Sequence, residues 1–400
     1  MAGQYWWQRD DLYYQDNELT FAKRNVLALA EQLPTPSFVY SVGRIESNLR
    51  RIKQVLSAQG FSNRHQLYYA MKANRFAPLL TFLKTTGLCG IDACSPAEVE
   101  HAISCGFKAS EISFTACSLS RADFQQLAVH EDLIINCDSL HSISGWGKLR
   151  PGSSIGLRIN PAVGTGREDN DKLQYAGGTI TKFGIYRAQF QAALDLAKQF
   201  DLTIDRIHFH TGCGYLNRQL PQLAEVLKSS LWFIDQLPNL HTVNIGGGLG
   251  VPHTGSDQAL DLQQWAATIS QIYGDRKFTI AVEPGDYIVK DAGLLLLEKT
   301  FLEYKDSKLF VGVNAGFNIA PEPAYYSMPF QPVALLDNSN KQVVTIAGNI
   351  NEALDIWYDN IELADLTEQN YLALINSGAY SASMASNHCM RGKFSEFLLF

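Results

Sequence analysis

Between residues 66 and 282 short β-rich runs alternate with stretches of helical spacing, and this alternation constrains the fold more than any other feature. The runs are Gln66–Lys72, Gly90–Cys94, Glu111–Thr115, Leu133–Cys137, Ser154–Asn160, Arg206–His210, Thr242–Ile245 and Phe278–Val282. Between them Ala77–Thr86, Pro96–Cys105, Ala188–Phe200, Pro221–Gln236 and Leu260–Tyr273 place apolar residues at helical intervals. Strands separated by helices pair in parallel, because only a crossover brings the chain back to the same end of the sheet. Eight such units are the number that closes a (β/α)8 barrel of about 250 residues. An open doubly wound sheet would carry a G-x-G-x-x-G turn after its first strand. Here that strand ends in Met71-Lys72-Ala73-Asn74, so the closed barrel is the better reading.

The remaining chain has a different rhythm. Lys308–Val313, Gln342–Ala347, Tyr371–Ile375 and Phe394–Phe400 read as strands spaced by turns without regular helices. The expected organisation is α/β, with a barrel at 45–290 and a β-domain formed by 1–44 and 291–400. Leu12-Tyr13-Tyr14 and Ser37–Tyr40 are the N-terminal pieces expected to join the β-domain.

Composition narrows the function. The formal charge is −7, and no basic stripe of the kind that binds nucleic acid is present. The longest apolar runs, such as Leu294–Leu297, are far too short to span a bilayer. The start of the chain, with Trp6, Trp7, Arg9, Asp10 and Asp11, lacks the basic-then-apolar order of a signal peptide, so a cytoplasmic location is expected. The 7 cysteines are odd in number and include no C-x-x-C pair, which argues against a disulfide framework and against a metal site.

Barrels of this kind carry their reactive groups at the C-terminal strand ends. Those ends bring Lys72, Asp92, His210, Cys213, the glycines 246–248, Glu283 and Gly285 to one rim. Strands one and eight become neighbours on closure, so Lys72 and Glu283 face one cavity. Lys72 then reads as a partly desolvated amine suited to Schiff-base chemistry. Gly246, Gly247, Gly248 and Gly285 read as a corner where backbone N–H groups approach a phosphate, with Cys213 beside it. A lysine, a phosphate corner, a flat imidazole and a carboxylate able to keep a pyridine nitrogen protonated together suggest pyridoxal 5′-phosphate.

Over residues 35–400 the chain resembles the pyridoxal-phosphate decarboxylases of fold type III, the alanine-racemase fold. The resemblance is closest to diaminopimelate decarboxylase and more distant to ornithine decarboxylase. It is carried by Tyr69-Ala70-Met71-Lys72-Ala73-Asn74, Lys182-Phe183-Gly184-Ile185, His208-Phe209-His210-Thr211-Gly212, Gly246-Gly247-Gly248-Leu249-Gly250, Glu283-Pro284-Gly285, and Gly378-Ala379-Tyr380 with Ser383-Met384-Ala385-Ser386-Asn387. It implies α-decarboxylation of an amino acid by a homodimer with shared active sites. By resemblance Lys72 carries the cofactor, His210 stacks on its ring and Glu283 pairs with the pyridine nitrogen. Asp92, Cys213, Gly246, Gly247, Gly248, Gly285, Asp286 and Tyr380 complete the cofactor site. Glu322, Tyr326, Asn351, Glu352, Asp355 and Tyr380 face the substrate, with Glu352 and Asp355 entering from the partner subunit.

Three positions depart from that family. Asn351 stands where the family has a proton-donating cysteine, leaving Cys389, His388, Tyr380, Lys72 or bound water as candidate donors. Asp286 and Glu322 stand where diaminopimelate decarboxylases carry arginines that hold substrate carboxylate. One charge pair at about 4 Å and an effective dielectric near 20 is worth roughly 4 kcal/mol, so meso-diaminopimelate is expected to be a poor substrate. The expected substrate has a cationic or neutral distal end or is an amino-acid conjugate, as in siderophore or polyamine biosynthesis. The competing readings are an amino-acid racemase of the same fold, against which Glu283 argues, and a non-catalytic homologue, against which the retained cofactor residues argue.

Overall fold

In the computed structural model all eight expected runs form parallel strands that close into a barrel. The strands are His65–Ala70, Gly90–Ala93, Ile112–Ala116, Ile134–Cys137, Ser154–Arg158, Thr203–His208, Thr242–Asn244 and Thr279–Val282, taken below as barrel strands one to eight. The structure describes residues 5–167, 170–173 and 180–400. Closure is made by strand eight on strand one, with Ile280 opposite His65 and Val282 opposite Leu67. Lys72 lies just past its strand, in a short 3-10 turn at Met71–Ala73.

The crossover helices follow their end signals. Pro96–Ser104 opens with proline after Ser95, whose hydroxyl caps the Glu98 amide. Leu262–Tyr273 is capped by Asp261, which accepts from the amides of Gln263 and Gln264. Two helices without a strong apolar period in the sequence, Arg121–Leu127 and Leu140–Leu149, complete the ring with serine capping boxes at Ser120 and Ser139. Inside the barrel small residues make room for polar ones. A Cβ at Gly156 would come 2.1 Å from the Asn136 side-chain oxygen.

The chain divides into two compact units, one of residues 48–250 and 258–287 that contains the barrel, the other of residues 1–47, 251–257 and 288–400. The second unit is the β-domain. Its sheet runs Gln331–Ala334, Tyr371–Ile375, Gly293–Lys305, Lys308–Val313, Lys341–Ala347, Ile356–Ala364. Ser37–Ser41 pairs with Gly293–Lys305 on one side and with Ser395–Leu399 on the other, which brings the N-terminal segment into this unit as expected. Leu294, Leu295, Leu296 and Leu297 are fully buried in the longest strand, so both faces of that apolar run are covered. No helix among the described residues is long and apolar enough to cross a membrane.

Candidate active site

At the C-terminal mouth of the barrel the strand ends deliver a connected polar network. Lys72 Nζ lies 3.1 Å from Asp92 Oδ2, and the lysine side chain is 49% exposed. About half of the side chain is thus withdrawn from water, with its amine against a buried carboxylate. The 3-10 turn carries Lys72 up to the rim, where a buried carboxylate positions it. Asp92 is buried, and that burial together with the charge of Glu283 pushes its pKa up to about 6, against the pull of Lys72.

Glu283 follows strand eight and is buried. Its Oε1 accepts from the Asn244 amide at 2.6 Å and the Ser113 hydroxyl at 3.2 Å, and its Oε2 pairs with His208 Nε2 at 2.8 Å. Asn136 donates in turn to Ser113 Oγ at 3.1 Å, which leaves the serine proton directed at Glu283. Burial alone would raise the Glu283 pKa. The charge and hydrogen bond of His208, the charge of Lys72 and the Asn244 amide outweigh it and hold the carboxyl at about 2. These contacts favour the anionic form of Glu283.

His210 lies two residues past strand six, with Nε2 3.5 Å from the Cys213 sulfur. Burial lowers its pKa most, and the positive charges of Arg158, Lys72 and His208 lower it further, to about 3. A neutral flat ring is what stacking needs, and a proton donor is what it cannot be near pH 7. The Arg158 guanidinium lies 4.6 Å over the Phe183 ring, and Gly184 reaches φ +73° where the Lys182–Ile185 motif presses on strand five.

This half-buried imidazole gives a pH signature. An unfolded histidine takes up its proton near pH 6.5, whereas folded His210 does so near 3. Above 6.5 the group contributes nothing. As pH falls from 6.5 towards 3 the unfolded state holds the extra proton, so stability is lost at about 1.4 kcal/mol per pH unit. Urea unfolding of wild type and His210→Asn at several pH values should show the gap between them narrow or invert over this window. Parallel curves would show that His210 is accessible to protons when folded.

The glycine corner is built by close backbone approach. A Cβ at Gly247 would sit 2.2 Å from the Glu283 carbonyl oxygen, and one at Gly248, where φ is +95°, 1.9 Å from the Gly212 carbonyl. Gly246 N–H is taken by Asn244 Oδ1 at 2.9 Å. Among the described residues none accepts from the N–H groups of Gly247, Gly248 or Gly285, although Gly247 and Gly285 are buried. Buried amides are nearly always paired, so this corner fits an anion such as a phosphate. The Cys213 thiol in the same corner is held neutral by burial, and the charge of nearby Asp286 pushes the same way.

The other expected residues belong to the β-unit. Tyr380 adopts φ +53°, with the Lys290 ammonium 5.9 Å from its ring centre. Glu322 is buried and bonded to Lys290, itself buried. The charge reversal expected at Glu322 is therefore corrected: Lys290 cancels it locally, and what the position loses is a cation available to a ligand. Tyr326 ends the short helix Glu322–Tyr326 and is half-buried. Asn351 is exposed at a loop tip, and the partly exposed Glu352 carboxylate lies 2.5 Å from His388 Nε2. Asp355 is corrected too. Its oxygens accept the amides of Phe317 and Ile350 at 2.7 Å each, and it is buried, so it staples the loop rather than presenting a carboxylate. Cys389 is exposed, with φ +51°.

His208, Ser113, Asn136, Asn244 and Lys290 were not singled out from sequence. The two-residue strand period, which puts His208 on the same side as His210 and Asn244 on the same side as Gly246, was the available signal for two of them. Lys290 had none.

Residues 42–290 match the family model described as pyridoxal-dependent decarboxylase, pyridoxal binding domain. A diaminopimelate decarboxylase of Methanothermobacter thermautotrophicus is 31% identical over 94% of this chain and 89% of its own length. The enzyme of that name from Escherichia coli K12 is 28% identical over 97% and 93%. The crystal structure of a diaminopimelate decarboxylase mutant from Helicobacter pylori, complexed with L-lysine, superposes with TM-score 0.84 at 25% identity over 94% of each chain. With a barrel rim whose lysine, anionic glutamate and unpaired glycine amides fit pyridoxal 5′-phosphate, the chain belongs to the pyridoxal-dependent decarboxylases, amino-acid decarboxylases of fold type III related to diaminopimelate and ornithine decarboxylase.

Proposed function

We propose that this enzyme removes the α-carboxylate from an amino acid whose distal end carries no free carboxylate. Pyridoxal phosphate, when bound, supplies the electron sink for the pair left at Cα. Lys72 would hold it through Nζ. Asp92 orients Nζ, Glu283 would keep the ring nitrogen protonated, and neutral His210 would supply a flat ring for stacking. The amides of Gly247, Gly248 and Gly285 would take the phosphate, with Cys213 beside them. Asp286 bounds the same corner.

The observation that carries the substrate reading is the fate of Glu322. Its charge is already satisfied by Lys290, so the pair offers neither a free cation to a carboxylate nor a bare anion to an amine. A neutral or conjugated distal end is what such a surface tolerates best. The relatives' names specify diaminopimelate for those proteins; Asp286 and Glu322 are the positions that set this chain apart. Carbon dioxide release should be measured on meso-diaminopimelate, lysine, ornithine and the side-chain N-acetyl conjugates of the last two. The expected kcat/KM for meso-diaminopimelate is about 100-fold or more below the best of these, the worth of one missing ion pair. Equal or better turnover of meso-diaminopimelate would refute the reading. The siderophore or polyamine setting rests on this substrate assignment and falls with it.

The enzyme is proposed to act as a homodimer. Leu354 and Met390, 52% and 85% exposed, lie in the two segments that carry the Glu352–His388 bond, where a second copy could cover them. His388, with Glu352 against it, is then the donor best placed to take over from the residue replaced by Asn351.

A further inference from the structure

His208 is the last residue of barrel strand six, is 2% exposed, and spends its Nε2 on Glu283 Oε2 at 2.8 Å. Its Nδ1 is buried with no partner among the described residues. A buried polar atom left unmatched is costly, so the side chain is held in place for what Nε2 does. Donation to a carboxylate oxygen requires the proton to sit on Nε2.

A carboxylate offers about four acceptor positions. Oε1 of Glu283 receives Asn244 and Ser113, and Oε2 receives His208. One lone pair on Oε2 is left over. The His208 bond decides where that lone pair points, because it blocks the alternative position on the same atom. Ser113 and Asn244 act on the other oxygen and cannot do this.

We propose that His208 is a positioning residue for the decarboxylation: its Nε2–H aims the remaining lone pair of Glu283 at the pyridine nitrogen of the cofactor and so keeps that nitrogen protonated. This rests on the reading that Glu283 lies beneath the ring nitrogen. The effect is carried by one bond across the barrel interior, from strand six to the end of strand eight, over strand seven. Glutamine can approach the reach of the imidazole Nε2, asparagine is about one bond shorter, and leucine fills the space without a donor.

The test uses holoenzyme reconstituted with pyridoxal phosphate labelled with 15N in the ring, and compares wild type, His208→Leu, His208→Asn, His208→Gln and Glu283→Gln. The 15N chemical shift of the ring nitrogen and the steady-state constants are read on each. His208→Leu and His208→Asn should move the shift towards the unprotonated form and lower kcat by about 10- to 100-fold, the scale of one charge-assisted hydrogen bond. KM should stay within about threefold, since substrate contacts are untouched. His208→Gln should recover both the shift and most of kcat. If Glu283→Gln changes the shift while His208→Leu and His208→Asn leave it and kcat at wild-type values, the role of His208 is overturned and the reading of Glu283 survives. If Glu283→Gln also leaves the shift unmoved, the carboxylate is not under the ring nitrogen and both fall. Should His208→Leu fail to fold, the asparagine and glutamine variants decide the matter, and equal behaviour of those two overturns the proposal.

Discussion

Lys72→Ala is expected to lower kcat by three orders of magnitude or more, the scale on which loss of a covalent nucleophile acts. The reason is positional. The 3-10 turn at Met71–Ala73 lifts the side chain to the rim, and Asp92 Oδ2 holds Nζ at 3.1 Å. Among the described residues Lys72 is the lysine that acts on both Asp92 and Glu283. Borohydride reduction of wild-type holoenzyme should fix the cofactor on the peptide containing Lys72, and the alanine variant should bind it only reversibly. Labelling of another lysine would remove the basis of the site assignment. The same variant tests the shared-site dimer. Mixing inactive Lys72→Ala with inactive Glu352→Ala subunits should restore about a quarter of wild-type activity, because half of randomly assorted symmetric dimers then hold one intact site. Zero recovery, with both variants folded and dimeric, would place Glu352 outside the shared site.

Breaking the Lys290–Glu322 pair is expected to be the most destabilising change in the β-unit. Both side chains are almost wholly withdrawn from water, at 2% and 7% exposure. Removing either partner strands a buried charge, at a cost of about 3–5 kcal/mol. Lys290→Met with Glu322→Leu removes both charges and keeps the volume, so the double variant should recover most of the loss. Urea unfolding of the two single variants and the double one measures this directly. Additive losses would mean that the two side chains do not depend on each other.

The barrel was legible because its signal is repetitive and local. Most of the strands are short runs rich in β-branched or aromatic residues, most of the crossovers read as amphipathic helices, and a count of eight admits closure. The boundaries shifted by a few residues, as where a turn takes over from the strand at Met71–Ala73, where a strand starts earlier at Thr203, or where one starts later at Ile134. Helices Arg121–Leu127 and Leu140–Leu149 were not legible, since their stability comes from packing against the barrel rather than from their own short patterns. The strand-end reading brought Lys72, Asp92, His210 and Glu283 to one rim because strand ends in a barrel converge whatever their sequence separation.

By itself the sequence determined the number of strands, their parallel order, the rim on which chemistry is possible and the cofactor class, since each follows from spacing or from residue type at a strand end. Only the tertiary structure decided how the charges are spent. Glu322 answers to Lys290, Asp355 to the amides of its own loop, and Glu283 to His208, Asn244 and Ser113. Hydrogen bonds and ion pairs act over about 3 Å, and which groups come that close is set by the packing of strands far apart in the chain. Whether a carboxylate binds a ligand or braces the protein therefore cannot be read from its place in the sequence.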